Sequence, residues 1–250
     1  MADLQQLVTK QVSSWTKERE KIEHLIQDHK IEAGARASEI RPVITLSRQR
    51  GCRGKELAKL LAHDLQYGMM DQSIIDYIAD HMGVRSEVVE MLDERDRSEL
   101  ELWFQEIFTG SVFARDDYIK ELGEVVKSTS LLGGVVILGR GANYLLQESN
   151  IYRVRLVAPL ETRIQTLVQQ EGKTEKQARE DIERTDKDRQ RFAKRYFHKD
   201  INDPGDYDMI LNMGSHTLDG AVKVIISGLR SQGWTFEKTG GDMRQRRAET

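Results

Sequence analysis

The sequence contains few of the residues on which several classes of protein depend. It has one cysteine and three prolines in 250 residues, so an internal disulfide framework and a cysteine-based zinc site are both excluded. Its apolar residues form no run near the roughly 18 that a membrane span requires, and its first residues lack the apolar core of a secretion signal. We therefore expect a soluble, cytoplasmic protein.

An excess of positive charge is also missing. The formal net charge is −3 at pH 7, although 32% of the residues are charged. Such a chain has no general attraction for nucleic acid or for an anionic membrane, so any cationic site must be local. The length of 250 residues suits one sizeable domain or one domain with insertions.

Short apolar, β-branched runs alternate with segments of helical spacing along most of the chain. The alternation predicts an α/β fold with three layers, in which helices cover both faces of a parallel sheet. The run at 151–159 alternates apolar with polar residues, which predicts a strand with one polar face. The predicted strands span residues 42–46, 67–71, 134–138, 151–159 and 207–212.

Three segments divide the chain, and the central one has two parts of its own. Residues 1–39 are predicted as an accessory helix, which would pack on the body of the protein or pair with a second copy in a homodimer. The main domain would span 40–235, and a disordered tail 236–250. Within the domain, the helical stretch at about 72–130 is predicted to be an acceptor-binding insertion, a dimer surface or simply core. The charged helical stretch at about 173–200 is predicted to be a lid.

The loop after the first strand is rich in glycine and arginine. It matches the phosphate-loop pattern G-x-x-x-x-G-K-[ST] only in part, because Gln49 replaces the first glycine and Glu56 replaces the hydroxyl residue that binds Mg²⁺. Backbone amides at such a helix start can cradle phosphates, with Lys55 as the principal charge. The alternative is an ordinary turn with a solvated lysine. The candidate phosphate-binding residues are Arg50, Gly51, Cys52, Arg53, Gly54, Lys55 and Glu56.

A carboxylate ends the second predicted strand, and an arginine follows the third. Asp71 could orient an acceptor or a metal-bound water, or it could cap the helix that follows. Arg140 lies between Gly139 and Gly141, at the edge where open α/β sheets bind ligands. A structural ion pair is the alternative for Arg140. Both residues are candidates for binding an acceptor, and no protein ligand is assigned to a metal.

The predicted lid carries a stripe of charged residues. Its members Arg184, Asp188, Arg191 and Arg195 follow steps of four, three and four, so they share one face of a helix. A solvated face with internal ion pairs is the ordinary interpretation. However, the arginines outnumber the carboxylate, and arginine suits bidentate recognition of phosphate. Arg184 and Arg191, with Lys55 and a further cation, either Arg163 or Arg195, would supply the positive charge that phosphoryl transfer needs.

Four segments resemble the cytidylate-kinase-like proteins, relatives of bacterial cytidylate kinase within the P-loop nucleoside monophosphate kinases. They are residues 44–57, 67–75, 135–143 and 184–191, and the resemblance extends over roughly 42–230. For the main domain, residues 40–235, it implies an adenylate-kinase-like fold with an acceptor-binding insertion and a lid, so that this domain is predicted to be kinase-like. It also implies transfer of the γ-phosphate of ATP to CMP or dCMP, with ATP and Mg²⁺ as cofactors. The charge and composition given above lead us to expect no nucleic-acid or membrane partner.

The resemblance assigns residues by matching position, and some positions depart from the family pattern. Glu56 replaces a hydroxyl, Gly141 replaces an acidic residue, and only Arg95 or Arg97 could replace a second acceptor arginine. Two other functions therefore stay open. One is a nucleotide-binding or sensing protein with little turnover, and the other is a P-loop kinase of another small acceptor. The residues implied at the acceptor or the transferring phosphate are Arg140, Arg184, Asp188 and Arg191.

Overall fold

The computed structural model describes most of the predicted kinase-like domain. The described residues are 41–81, 94–108, 117–146 and 150–234, with the single positions 6, 9, 13, 85, 86, 88, 89, 92 and 236. Apart from those single positions, the predicted N-terminal helix, its dimer contact and the predicted tail lie outside the described residues. Among the described residues, no helix is both long and apolar enough to cross a membrane.

Parallel strands form the centre of the fold, as the sequence predicts. The strands are β1 (Val43–Arg48), β2 (Gly68–Met70), β3 (Val135–Leu138), β4 (Ile151–Val157) and β5 (Met209–Asn212). The sheet has the strand order β2-β3-β1-β4-β5, and every neighbouring pair is parallel. A strand buried on both faces needs a continuous apolar run, which explains the sequence of β3, whose four residues are all buried.

Helices connect the strands and cover the sheet. A 3₁₀ turn, Pro204–Asp206, precedes β5. In the described residues the helices are α1 (Gly54–Leu65), α2 (Gln72–Asp80), α3 (Glu94–Phe108), α4 (Asp117–Leu132), α5 (Ala142–Leu145), α6 (Leu160–Glu171), α7 (Glu175–Phe197) and α8 (Leu218–Ser231). The predicted insertion between β2 and β3 contains α2, α3 and α4, and the predicted lid is α7.

Successive residues of β3 point to opposite faces of the sheet, and so separate the two layers of helices. Val135 and Ile137 belong to a buried cluster with residues of α2 to α5. Val136 and Leu138 belong to a second cluster with residues of α1 and α8. The three-layer prediction is therefore confirmed. Trp103 of α3 is buried in the first cluster, so it is part of the core.

The polar face predicted for β4 is not exposed. Arg155 is only 4% exposed, and its guanidinium donates to Ser47 Oγ at 2.8 Å and to Asn202 Oδ1 at 3.1 Å. It also lies 5.7 Å from the centre of the Tyr207 ring. The chain after α7 covers this part of β4, which strand periodicity alone cannot reveal. The result is a buried arginine beside the end of β1.

The predicted lid packs on its neighbour through a small apolar cluster. A capping box begins α7, because the Thr174 hydroxyl accepts from the Gln177 amide and the Gln177 side chain accepts from the Thr174 amide. Ala178 and Ile182 of α7 pack against Ile164 and Leu167 of α6. This contact fixes which side of α7 faces the loop after β1.

Candidate active site

The loop between β1 and α1 is held by Gln49, the residue in place of the first glycine of the motif. Its amide donates to Leu156 O at 3.0 Å, and its side-chain oxygen accepts from the Ala158 amide at 3.1 Å. Gly51 has φ 85° and contacts the backbone of Arg163 so closely that a Cβ would overlap it. The loop is therefore tied to β4 and α6, and its shape depends on glycine at position 51.

The N-terminus of α1 has no side-chain cap. Arg53 occupies the N-cap position with a left-handed backbone (φ 55°), and its side chain makes no capping hydrogen bond. The first amides of a helix lack partners within the helix, and together with the helix dipole they favour an anion. This end of α1 can therefore receive a phosphate, as the motif predicts.

Lys55 is bound to Asp71 in the structure. Lys55 Nζ lies 2.7 Å from Asp71 Oδ2, and the lysine side chain is 58% exposed. Asp71 Oδ1 accepts from the amides of Ser73 and Ile74 at 3.0 and 3.2 Å, so it also caps α2. Burial raises the pKa of Asp71, but these hydrogen bonds and the lysine charge outweigh it and hold that pKa below its usual value. Asp71 is therefore an ionised cap that orients Lys55.

The buried thiol of Cys52 does not suit nucleophilic chemistry. Cys52 is 2% exposed, and burial raises its pKa to about 11. The thiol is therefore protonated at neutral pH, whereas the thiolate is the reactive form. Cys52 can contribute to phosphate binding only through its backbone.

Few carboxylates lie near the loop between β1 and α1 where they could hold Mg²⁺. No group of three or more His, Cys, Asp or Glu side chains comes together as a metal site in the described residues. Glu56 lies 3.5 Å from Arg53 Nε. Nucleotide-bound Mg²⁺ keeps several waters and needs only one or two protein carboxylates. Asp71 fits that role, and because its oxygens already accept hydrogen bonds, it would act through a metal-bound water.

Helix α7 lies directly against the loop through two of its aspartates. Asp181 Oδ2 accepts from Arg50 Nε at 3.0 Å. Asp186 accepts from the Arg50 amide at 2.7 Å and from Arg163 Nη1 at 2.6 Å. In addition, Arg189 Nη1 donates to the backbone oxygen of Arg48 at 3.0 Å. The Arg50 amide and the Arg163 guanidinium, both of which could hold a phosphate, are thus bound to Asp186 of the predicted lid.

The charged stripe predicted from the sequence of α7 did not include Asp186 and Arg189, so sequence reasoning missed both as site residues. A signal for them exists, because Ala178, Ile182, Asp186, Arg189 and Ala193 follow steps of four, four, three and four. The three apolar members of this series are buried. Two charged residues therefore sit in the middle of the packed face of α7, and charge on an apolar face indicates a polar partner.

A first cavity of about 190 Å³ lies between the end of β1, β4, α6 and α7. Arg155 and Arg163, which line it, are less than a tenth exposed. Of the described residues that line it, four are arginines and one is a carboxylate. This imbalance favours an anion with several negative charges. The charged lining residues are Arg48, Arg155, Arg163, Asp186 and Arg189.

A second cavity of about 340 Å³ adjoins the first, and Arg48 and Arg189 line both. Arg140 lines it from the end of β3 and donates to Asp76 of α2 with both Nε and Nη2. The ion pair considered for Arg140 is therefore present, and Asp76 is a partner that the sequence did not indicate. The other residues that line the second cavity include Arg184, Asp188, Tyr144 and Phe192.

The structure places the remaining sequence candidates less centrally. Arg191 lines neither cavity, and its side chain is 68% exposed and lies 3.7 Å from Asp188. Arg184 lines the second cavity but is 73% exposed and donates to Asp181 at 2.7 Å. Arg97 is exposed on α3 and lines neither cavity, and the Arg95 side chain lies outside the described residues.

Comparison with known proteins agrees with this arrangement. The family model of the cytidylate kinase-like family matches residues 43–215. The chain belongs to that family. The match extends from β1 through the loop, both cavities and the predicted lid to the turn after β5, so every residue that lines the two cavities lies within the family region.

Individual relatives are more distant. The cytidylate kinase of Aeropyrum pernix is 29% identical over 102 residues, which is 40% of this chain and 59% of that protein. An uncharacterised protein from Eubacterium ventriosum has a solved structure with a TM-score of 0.60 and 22% identity, and the match covers 76% of this chain and 99% of that one. Shikimate kinase from Acinetobacter baumannii in complex with shikimate has a TM-score of 0.44, 14% identity, and coverage of 80% and 99%.

Proposed function

We propose that this protein transfers the γ-phosphate of ATP to a nucleoside monophosphate, with CMP or dCMP as the favoured acceptor. The observation that carries the proposal is the pair of adjoining cavities that share Arg48 and Arg189. Phosphoryl transfer requires two ligands in line, with positive charge where their phosphates meet. Family membership and the printed name of the Aeropyrum pernix relative support the choice of acceptor.

The donor side uses the loop and the first cavity. The amides at the uncapped start of α1, from Gly54 onward, and the backbone of Arg50 to Arg53 would hold the phosphates of ATP. Lys55 would leave Asp71 or remain bridged to it while contacting a phosphate oxygen. Arg163 would add a second charge. Mg²⁺ bound to ATP would neutralise phosphate charge, and Asp71 would orient one of its waters.

The acceptor side uses the second cavity. Arg140, fixed by Asp76, would bind the phosphate of the nucleoside monophosphate, and Arg184 would bind it from α7. The Asp188 carboxylate would accept hydrogen bonds from the base or the sugar. Arg191 would join the site through a rearrangement of α7. Contact between α7 and the loop would exclude water and so limit hydrolysis of ATP.

The test is ADP release in a coupled assay with ATP, Mg²⁺ and a panel of CMP, dCMP, UMP and AMP. We expect release that depends on an acceptor and on Mg²⁺, and that falls about 100-fold or more in Lys55→Ala because a charge near the transferring phosphate is removed. Lys59→Ala, an exposed lysine on the same helix, is the matched control. Unchanged activity in Lys55→Ala would contradict the role of the loop.

A second candidate function is nucleotide binding without turnover. Glu56 in place of the Mg²⁺-binding hydroxyl favours it, as does the engagement of Lys55 by Asp71. Tight ATP binding with no ADP release for any acceptor would support this candidate against the kinase. A kinase of another small acceptor would not release ADP with any nucleotide in the panel. It would release ADP only when its own acceptor is added.

A further inference from the structure

Arg48, the last residue of β1, occupies a place that depends on the glycine after β3. The sheet pairs Leu46 with Leu138, the last residue of β3, so β1 continues to Arg48 beside the turn that contains Gly139 and Arg140. The Arg48 guanidinium passes over Gly139, where an added Cβ would collide with Nη1. Gly139 therefore gives Arg48 the room to reach the boundary between the two cavities, both of which it lines.

The charges around Arg48 are mostly positive. Arg189, Arg140 and Arg50 all lower its pKa, after burial, which has the largest effect, and together they bring it to about 9. The charge of Asp71 acts in the opposite direction and raises the pKa of Arg48, but the oxygens of Asp71 already accept from Lys55 and from the start of α2. Among the described residues, the Arg48 guanidinium makes no hydrogen bond or ion pair.

Lys55 offers a direct contrast. It is paired with Asp71 at 2.7 Å, and more than half of its side chain is exposed, whereas Arg48 is half-buried and unpaired. An unpaired, half-buried cation among other cations is unfavourable unless an anion comes to it. The arrangement at Arg48 is thus suited to a ligand phosphate rather than to the fold.

We propose that Arg48, assisted by Arg189, contacts the phosphoryl group during its transfer and is a catalytic residue beside Lys55. The inference rests on the proposed function. In the reaction, an oxygen of the acceptor phosphate attacks the γ-phosphorus of ATP, and the bond from that phosphorus to the β–γ bridging oxygen breaks. The electron pair stays on the ADP β-phosphate, and Arg48 stabilises the negative charge without donating its proton.

The test compares Arg48→Met, Arg48→Ala and Arg48→Lys with Arg153→Met. Arg153 lines neither cavity, and it is a matched half-buried arginine that is paired with Asp208 at 3.6 Å. We expect Arg48→Met to lower kcat about 100- to 1,000-fold, to change both KM values only a few-fold, and to leave the Tm of the free protein equal or higher. Arg153→Met should lower the Tm. Added guanidinium ion should restore part of kcat in Arg48→Ala, and Arg48→Lys should keep more activity than Arg48→Ala.

Two results would overturn the proposal. One is a kcat of Arg48→Met within a few-fold of the wild type. The other is a lower kcat that accompanies a lower Tm and is not rescued by guanidinium, since that pattern would show a structural role. If the wild type transfers phosphate to no acceptor, the proposed function is wrong, but the role of Arg48 in phosphate binding can still be tested. The test is then the rise in Tm that tripolyphosphate causes. An equal rise in Tm with tripolyphosphate in the wild type and in Arg48→Met would then exclude a phosphate contact.

Discussion

The two cavities beside Arg48 and Arg189 differ in how their charges are balanced. In the first, four arginines face the single carboxylate of Asp186 among the described lining residues. In the second, Arg140 is paired with Asp76, Arg184 is paired with Asp181, and aromatic side chains contribute to the lining. The first therefore suits a chain of phosphates, and the second suits a ligand that combines one phosphate with a neutral ring. This difference is what a donor site and an acceptor site require.

Among the substitutions that test the difference between the two cavities, the largest effect is expected at Asp188. Asp188→Asn should raise the KM of the acceptor about 10- to 100-fold, since a hydrogen bond to a charged group contributes about 1.5–3 kcal/mol. The KM of ATP should change little, because Asp188 lines only the second cavity. Steady-state kinetics with each substrate varied in turn checks the prediction. Glu180→Gln, at an exposed position of α7, is the control, and a rise in both KM values would contradict the separation of the two cavities.

A smaller effect is expected at Asp186, the carboxylate of the first cavity. Asp186→Asn removes the negative charge that now binds the Arg50 amide, Arg163 and Arg189. Tripolyphosphate should bind about tenfold more tightly, which corresponds to about 1.4 kcal/mol, and the free protein should unfold at a lower temperature.

Calorimetry with tripolyphosphate measures the change at Asp186, again with Glu180→Gln as the control. Weaker binding by Asp186→Asn would show that this carboxylate positions the arginines rather than competing with the ligand for them. In that case the first cavity would be held in shape by Asp186, and its positive charge alone would not determine anion binding.

The smallest effect on activity is expected at Asp181, which joins α7 to the loop. Asp181 accepts from Lys173, Arg184 and Arg50 at 2.5, 2.7 and 3.0 Å, and these bonds outweigh burial and hold its pKa well below its usual value. Asp181→Asn should lower the free energy of unfolding at pH 7 by about 2 kcal/mol. Activity should change only a few-fold.

The pH dependence of that loss follows from the sign of the shift. A carboxylate with a lowered pKa in the folded state stabilises the protein fully above its unfolded pKa of about 3.9, and the contribution is lost progressively as the pH falls from that value toward the folded pKa. Urea unfolding of the wild type and Asp181→Asn at pH 7 and pH 3 should therefore give a smaller difference at pH 3. A constant difference would show that Asp181 acts through hydrogen bonds that do not require its charge.

The order of strands and helices was predictable from the sequence because periodicity reports which faces are buried. The β-branched runs gave the strands to within a few residues, and the pattern of leucines gave α1. The cap at Asp71 was also predicted, because capping depends on a local motif. Each of these features is determined by residues close together in the chain.

The network around the site was less predictable because its partners are far apart in sequence. Asp76 meets Arg140 across 64 residues, and Asp186 meets the Arg50 amide across 136. Arg155 was predicted on a polar face, yet the chain after α7 buries it. Even so, the packed face of α7 contained Asp186 and Arg189 at helical spacing. Charged residues in the middle of an apolar face are therefore a signal that deserves weight in related sequences.

The most direct test of the account is titration with a bisubstrate analogue in which five phosphates join adenosine to cytidine. If the two cavities hold the two substrates of one transfer reaction, calorimetry should show one analogue bound per chain, and ATP and CMP should each displace it. Binding that ATP displaces and that CMP and the other nucleoside monophosphates leave unchanged would contradict the account, because the second cavity would then not be an acceptor site.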